Sequence, residues 1–328
     1  MRIRTIAATA AFVIASTAGA QTKWDLATPF VPSNFHVENL TQFAADVDKA
    51  TAGKLKINIH ANSSLFKGNE IKRAVQGGQI QGGEILMVAY ENENPILGVD
   101  GVPFLATSYR HARSLYQAQK PVLEKYLEKQ GIVLLYSVPW PASGLYSKKP
   151  VDSLADMRRV KWRAYSPATA RMGELMGAQS VTIQAAELSQ ALATGVVEAF
   201  MTSSQTGVDS RVYEQVKYFY DLRIALPKNA VFVNAAAFNA LEKSQQDAVI
   251  ASAAAAEARG WKLSQEWDEA SKKTLSEKQM FVAQPSTKLV SDFKQLGWTI
   301  LQEWQKKAGS EGEAVVQDYL KGPSLAKK

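Results

Sequence analysis

Residues 151–204 read VDSLADMRRVKWRAYSPATARMGELMGAQSVTIQAAELSQALATGVVEAFMTSS, and this stretch decides the fold. Its short apolar runs VKWRAY, SVTI and VVEAFM alternate with two helix-like segments, which end at Gly177 and Gly195. Strands that alternate with glycine-terminated helices are typical of the α/β class, in which crossover helices join parallel strands.

One arginine in this stretch, Arg163, lies where the first of these strands ends. Ligands of α/β folds bind at the carboxyl ends of strands. A guanidinium keeps its charge and can donate two parallel hydrogen bonds to a carboxylate. We predict that Arg163 anchors an acidic ligand, although its position alone would favour a surface arginine at a strand end.

The first hundred residues have the same organisation. Apolar alternation and glycine stops predict strands over 23–28, 54–60 and 83–88, with helices between them, the first over 36–50. The segments EIKRAVQGGQIQGGEILM and ELSQALATGVVEAFM share one plan, a glutamate before a helix, a glycine stop and an apolar strand. This internal echo suggests two α/β lobes that are built alike.

Two of the predicted helices have unusual features. Residues 244–276 predict one helix longer than the usual ~8–20 residues, which a helix lying across both lobes would explain. A second helix begins after Ser108 and is predicted to be interrupted at Pro121.

Composition excludes several classes of protein. The 328 residues carry a formal charge of +7 that is dispersed along the chain, so we do not expect nucleic acid binding. The absence of cysteine excludes disulfides, thiolate catalysis and thiolate metal sites. Three histidines without metal-ligand spacing give no reason to expect a metal or another cofactor. Residues 1–20 have two arginines, an apolar run and an A-x-A site, which predicts a signal peptide removed after Ala20.

Several motifs together carry a resemblance. They are T-x-G-x-hydrophobic at 51–55, the glycine-stopped helix and strand at 76–88, VPF at 102–104, KKPVDSLADMRRVKWR at 148–163 and GVVEA at 195–199. In this order, behind a signal peptide, they closely resemble the extracytoplasmic solute-binding proteins of tripartite ATP-independent periplasmic (TRAP) transporters, the DctP-like family.

The resemblance implies a two-lobe, Venus-flytrap fold with a ligand cleft and a long helix spanning both lobes. It implies that residues 21–140 and 229–266 form lobe I, and that 141–228 and 267–328 form lobe II. It further implies a monomeric receptor in the periplasm, not an enzyme, which binds a small organic acid through Arg163. The receptor would deliver this acid to membrane permease subunits.

Two departures from the family pattern narrow the ligand. Some members carry a second arginine about twenty residues upstream, but residues 139–144 contain none here. The second is that the 202–204 region replaces the asparagine that often follows GVVEA; Arg159, in place of the motif's glycine, is a small departure on the expected surface side and is separate from these two. These differences favour a monocarboxylate whose other end is apolar or aromatic.

Other ligand contacts are expected beside Arg163. Trp140, between two prolines, is either a flat wall of the site or a core side chain between the lobes. Tyr165, Thr202 and Ser203 follow strand ends on the same lobe and are expected to contact the ligand rather than only to form turns.

The first lobe supplies a second group of candidates. Asn34 and Phe35 lie at the amino end of the first helix, where free amides can hold an anion, although Asn34 also fits a simple cap. Phe66, Lys67 and Met87 match first-lobe contact positions of the family; core packing and a solvated lysine are the alternatives. We expect His36 to be a surface residue.

Glu84 is interpreted as a hydrogen-bonded interior carboxylate and is not assigned to the ligand. Two other functions remain open. A ligand-presenting sensor module has the same sequence signature as a transport receptor. A serine-dependent hydrolase has only the motif S-x-x-K at 64–67, without its companion motifs.

Overall fold

The computed structural model describes residues 21–322, so the predicted signal peptide lies outside the described residues. Within 21–322 the strands are β1 (Thr22–Ala27), β2 (Leu55–His60), β3 (Gly82–Leu86), β4 (Ile132–Pro139), β5 (Ser143–Ser147), β6 (Lys161–Ala164), β7 (Gln179–Thr182), β8 (Ala199–Ser203), β9 (Tyr218–Tyr220), β10 (Lys228–Asn234) and β11 (Phe281–Ala283). The α-helices are α1 (Phe35–Ala50), α2 (Ile71–Gln76), α3 (Tyr109–Glu128), α4 (Pro167–Leu175), α5 (Leu188–Ala193), α6 (Ser204–Asp209), α7 (Ala235–Asn239), α8 (Lys243–Glu277) and α9 (Thr287–Lys321). None of the described helices has the length and apolar character that a membrane span requires.

The first lobe is built on a five-stranded sheet in the order β2-β1-β3-β10-β4. Strand β1 pairs in parallel with β2 and β3, as the alternation of strands and helices predicts, whereas β10 is antiparallel to both of its neighbours. In β2 the side chains of Leu55 and Ile57 are buried while Lys56 and Asn58 are exposed, which explains the strict alternation in the sequence.

The second lobe is built on a six-stranded sheet in the order β11-β9-β5-β8-β6-β7. Strand β6, next to the edge strand β7, is parallel to both β7 and β8, and Arg163 lies opposite Val181 and Phe200 in these neighbours. A strand hydrogen-bonded on both sides gives the arginine a fixed backbone. The α/β class and the two-lobe architecture predicted from the sequence are thereby confirmed.

Helix α8 spans both lobes. Its first half contributes Val249, Ala253 and Ala256 to the core of the first lobe, and Leu275 near its end belongs to a cluster of the second lobe. The long lobe-spanning helix predicted over 244–276 is therefore confirmed, with bounds that differ by one residue at each end.

Helix α9 also contacts both lobes. Phe293 and Ile300 pack with Trp162 in the core of the second lobe, whereas Trp304 and Tyr319 belong to a cluster with α3. A kink at Gly309, whose φ is +59°, separates the two parts. The sequence assigned all of 267–328 to lobe II; in the structure the end of α9 packs on segments of the first lobe.

The predicted interruption at Pro121 is wrong, because α3 continues through it. A proline in a helix interior removes one backbone hydrogen bond, and its ring clashes with the carbonyl of residue i−4, at a cost of about 3 kcal/mol. On either side of it, Leu115 and Leu123 are fully buried, and the Gln119 side chain donates to the Ile96 carbonyl at 2.7 Å. This packing stabilises the helix against the local preference of the sequence.

The close contact between α8 and β4 depends on Gly260. A Cβ atom there would lie 2.4 Å from Val138 Cγ2 and 2.8 Å from Asn39 Nδ2. Both neighbours are side chains of the packed first lobe, so the helix can approach the sheet only where a residue lacks a side chain.

We expect Gly260→Ala to lower the free energy of unfolding by about 1–3 kcal/mol, because overpacking outweighs the gain of ~1 kcal/mol in helix propensity. Denaturant unfolding checks this, with Ala254→Gly at an exposed position of α8 as the control. The control should be destabilised by about 1 kcal/mol. A more stable Gly260→Ala variant would contradict the proposed close packing.

Candidate functional site

A cavity lies between the two lobes and contains about 350 Å³ of space that protein atoms do not fill. Polar groups line one side of this cavity and come from the second lobe and from the segments that join the two lobes. Apolar side chains line the other side. The lining residues are Phe30, Leu86, Trp140, Ser143, Arg163, Tyr165, Ala185, Thr202, Ser203, Thr206 and Pro227.

A wider outer cavity, with about 1400 Å³ of space that includes solvent outside the protein, adjoins this inner one. Both are lined by Phe30, Leu86, Arg163, Tyr165 and Ala185, so the arginine faces the passage between them. The outer cavity therefore provides a route from the surface to the guanidinium.

Arg163 is the buried cation of the inner cavity, with only 3% of its surface exposed. Its Nε donates to the Ile183 carbonyl at 3.0 Å, and its guanidinium carbon lies 5.0 Å from the centre of the Tyr165 ring. Its Nη1 is buried and has no hydrogen-bond partner among residues 21–322. The guanidinium is thus held at one nitrogen while another remains available to a ligand.

The charge of Arg163 is not compensated by the protein. Burial lowers the pKa of the guanidinium to about 10, so it remains cationic at neutral pH. Within the described part of the chain, no carboxylate forms an ion pair with it; the nearest electrostatic partner is Tyr165. A buried cation in this state can accept an anion that brings its own hydrogen-bond acceptors.

Hydroxyl groups surround the polar side of the cavity. Thr202 and Ser203 end β8, and the backbone pairing of β5 with β8 brings Ser143 opposite Ser203. The Ser203 hydroxyl caps α6 by accepting from the Thr206 amide at 3.1 Å, and the two side-chain oxygens lie 3.0 Å apart. These groups can donate to or accept from a polar ligand.

The apolar side of the cavity is centred on Trp140. Its backbone amide donates to the Pro227 carbonyl at 2.8 Å, and its indole Nε1 donates to Asn229 Oδ1 at 2.8 Å. The rings of Phe30 and His36 pack against it, with centroids 4.9 and 4.4 Å away. Trp140 is therefore both a buried residue and a wall of the cavity. The sequence left a core position and a wall of the site open as alternatives, and both descriptions apply.

Behind this wall lies Glu84, of which 1% is exposed. Its Oε2 accepts from the Thr28 hydroxyl at 2.6 Å and its Oε1 from the Asn229 amide at 3.0 Å. His36 Nδ1 lies 3.5 Å from Oε1. The interpretation of Glu84 as a hydrogen-bonded interior carboxylate agrees with these contacts.

Of the ten candidate residues, five line the inner cavity together: Arg163, Trp140, Tyr165, Thr202 and Ser203. Lys67 is exposed and lines the outer cavity. The remaining four lie elsewhere.

Phe35 and Met87 are fully buried in hydrophobic clusters of the first lobe, one layer behind the cavity surface. Phe66 is partly buried and packs against the same cluster as Met87. Asn34 caps α1 by accepting from the His36 amide at 2.9 Å. None of these four is among the residues that line the two cavities.

Asn34 has a second contact that the sequence does not reveal. Its Nδ2 donates to Asp209 Oδ2 at 2.6 Å, and Asp209 lies at the end of α6 in the second lobe. Gln205 donates to the other carboxylate oxygen at 2.7 Å. This contact joins the lobes beside the cavity.

The prediction that His36 is a surface residue is wrong, because only 2% of this residue is exposed. Its burial depends on Phe35 and Trp140, whose rings pack against it at tilted angles, and Trp140 is distant in sequence. Sequence reasoning also missed six lining residues: Phe30, Leu86, Ser143, Ala185, Thr206 and Pro227. The strand-end rule missed Leu86, the last residue of β3, because the sequence predicts that this strand continues to residue 88.

The structure places no group of three or more His, Asp or Glu side chains in residues 21–322 where they could hold a metal ion.

Two titratable groups behind the wall have displaced pKa values. Burial raises the pKa of Glu84 to about 7, against the opposing hydrogen bonds from Thr28 and Asn229. Burial lowers the pKa of His36 well below its ordinary value, so this ring is neutral. Tyr136 on β4 also faces Glu84, and burial keeps it protonated.

We expect Glu84→Gln to become more stable relative to the wild type as the pH rises. A carboxyl whose folded pKa is raised stabilises the fold fully below its unfolded pKa of ~4.5 and loses this contribution as the pH rises through about 7. The difference in unfolding free energy should grow by about 3 kcal/mol across that window.

Denaturant unfolding at pH 5, 6, 7 and 8 measures this difference, and the contribution of His36 cancels because both proteins contain it. Glu128→Gln, at an exposed position of α3, is the control and should show a flat difference. Parallel pH curves for Glu84→Gln and the wild type would contradict the raised pKa.

Comparison with known proteins agrees with this geometry. The family model described as bacterial extracellular solute-binding protein, family 7 (DctP), matches residues 29–307. A solute-binding protein of Albidiferax ferrireducens is 30% identical over 221 residues, which span 65% of this chain and 64% of that protein.

Solved structures with the same fold cover most of the chain. DctP6, a Bordetella pertussis extracytoplasmic solute receptor binding pyroglutamic acid, is 52% identical over 92% of this chain and 100% of its own, with a TM-score of 0.90. A TRAP solute-binding protein from a marine metagenome, specific for pyroglutamate, is 39% identical with the same coverage and a TM-score of 0.91. The chain therefore belongs to the DctP family of bacterial extracellular solute-binding proteins, the TRAP solute receptors of small organic acids, as its sequence motifs predicted.

Proposed function

We propose that this receptor binds pyroglutamate, with the carboxylate on Arg163, and delivers it to TRAP permease subunits in the membrane. Two receptors with the same fold, at 52% and 39% identity, bind this acid. We further propose that the protein works in the periplasm as a monomer after removal of the signal peptide, and that it is not an enzyme.

The observation that carries the proposal is the uncompensated guanidinium of Arg163. An unpaired charge in a buried site costs several kcal/mol unless another charge and further hydrogen bonds compensate it. A ligand carboxylate would provide both, because it can accept from the orphaned Nη1. The cation thus selects an anion before any other contact is made.

The remaining lining favours a compact acid with one carboxylate. Arg163 is the single arginine of the inner cavity lining, so a second carboxylate would have no equivalent partner there. The hydroxyls of Thr202, Ser203 and Thr206 suit the lactam N–H and carbonyl of pyroglutamate. Its ring carbons suit the apolar wall of Phe30, Leu86 and Trp140.

Binding from both lobes provides a reason for closure. The charge and hydroxyls come from the second lobe, while Phe30 and Leu86 come from the first. A ligand shifts the equilibrium between open and closed forms only by the contacts that it makes better in the closed form. The apolar contacts of the first lobe are of this kind.

The alternative functions have less support. Ser64 of the S-x-x-K motif is exposed and is not among the residues that line either cavity. A sensor module would use the same ligand site, so it differs from a transport receptor in its protein partner alone.

Isothermal titration calorimetry with pyroglutamate tests the proposal, using protein that has been unfolded and refolded to remove any bound acid. We expect the wild type to bind with micromolar or tighter affinity. Arg163→Met should weaken binding by about 100-fold or more, because two charge-assisted hydrogen bonds are lost. Its ligand-free stability should be unchanged or higher, since an uncompensated buried charge is removed.

Arg158→Ala, at an exposed position of the same lobe, is the matched control and should bind as the wild type does. Proline, which lacks the lactam carbonyl, and succinate, which has a second carboxylate, should bind more weakly than pyroglutamate. Equal affinity in the wild type and Arg163→Met would refute the role of Arg163. Absence of pyroglutamate binding by the wild type would refute the proposal that pyroglutamate is the ligand.

A further inference from the structure

The buried carboxyl of Glu84 is connected to the cavity by a chain of hydrogen bonds. Its Oε1 accepts from Asn229 Nδ2 at 3.0 Å, and Asn229 Oδ1 accepts from the Trp140 indole at 2.8 Å. Glu84 does not line the cavity, while Trp140 does. The carboxyl therefore reaches the cavity wall through a single intervening side chain.

The orientation of the Asn229 amide follows from its two neighbours. An indole N–H is a donor only, so the amide must turn its oxygen to Trp140. Its NH₂ group then faces Glu84, which must present an acceptor. A side chain without an acceptor at position 84 would leave this buried NH₂ group unpaired, at the cost of its desolvation.

The same hydrogen bond fixes the angle of the indole. The backbone of Trp140 is held by the Pro227 carbonyl, so rotation of the side chain is the freedom that remains. The rings of Phe30 and His36 restrict the faces of the indole, and the bond from Nε1 to Asn229 restricts its edge. Loss of the acceptor would free the indole to turn toward or away from the ligand space.

A carboxyl group suits this place better than an apolar side chain of similar size. Both of its oxygens receive donors, one from Thr28 and one from Asn229. Thr28 directly follows β1, Glu84 lies on β3 and Asn229 on β10, three strands adjacent in the first sheet. Glu84 thus ties the wall to the three inner strands of that sheet.

We propose that Glu84 is a positioning residue for ligand binding, which fixes the Trp140 indole through Asn229 as the apolar wall of the acid site. This proposal rests on the proposed function for its ligand, pyroglutamate. The geometry of the wall itself can be measured without any ligand.

The affinity experiment uses Glu84→Leu, which removes the acceptor, and Glu84→Gln, which keeps one for Asn229. Each is combined with Trp140→Phe, whose ring has no N–H group. We expect Glu84→Leu to weaken pyroglutamate binding by about tenfold in the wild-type background and by less than about twofold beside Trp140→Phe. Glu84→Gln should restore affinity to within about threefold of the wild type.

Asn229→Ala is the second route, should Glu84→Leu fail to fold. It interrupts the same chain of hydrogen bonds, so its effect should also disappear beside Trp140→Phe. A general loss of stability would lower the melting temperature in both backgrounds without this coupling. Equal weakening in the two backgrounds would overturn the proposal.

The ligand-free experiment follows the indole N–H resonance of Trp140 by NMR, assigned by its absence from Trp140→Phe. In Glu84→Leu we expect this resonance to shift and its hydrogen exchange to accelerate, with neither change in Glu84→Gln. An unchanged resonance in Glu84→Leu would overturn the proposal. Because this readout needs no acid, it still decides the positioning role if the wild type does not bind pyroglutamate and the proposed function fails.

Discussion

The site depends on one buried cation whose charge the protein leaves uncompensated. Desolvation of the Arg163 guanidinium is unfavourable. The hydrogen bond that its Nε donates to the Ile183 carbonyl offsets only a small part of that cost. Strand β6 is paired on both sides, with β7 and β8, so the backbone that carries the arginine is fixed. The sheet therefore holds a buried charge in an unfavourable environment, and in the proposed function a bound anion compensates this charge.

The two lobes contribute different kinds of interaction to the same small space. The second lobe provides the charge and the hydroxyls, which in the proposed function select an acid, and the first provides aromatic and aliphatic surface. The contact between Asn34 and Asp209 adds a hydrogen bond that does not involve the ligand. Affinity in such an arrangement is the sum of ligand contacts and contacts between lobes, so residues outside the cavity also influence it.

The sequence was most informative where a local rule applies. Arg163, Tyr165, Thr202 and Ser203 lie at or directly after strand ends, and the register of a parallel sheet brings such positions together. Met87 and Phe35 lie one layer too deep, because a sequence pattern does not distinguish a lining side chain from the one behind it. His36 was misjudged for a related reason: Trp140, which covers its ring, approaches it only through tertiary packing.

Glu84 illustrates how a polar group can be kept in the core without adding a strong charge near the ligand. An ionised carboxylate close to the cavity would repel an acid that Arg163 attracts. Burial raises the pKa of Glu84 to about 7 and keeps the adjacent His36 ring neutral, so this cluster carries less negative charge than an exposed glutamate would. Its hydrogen bonds to Thr28 and Asn229 nevertheless remain directional. The first lobe can thus hold its aromatic wall in place with little electrostatic opposition to the anion.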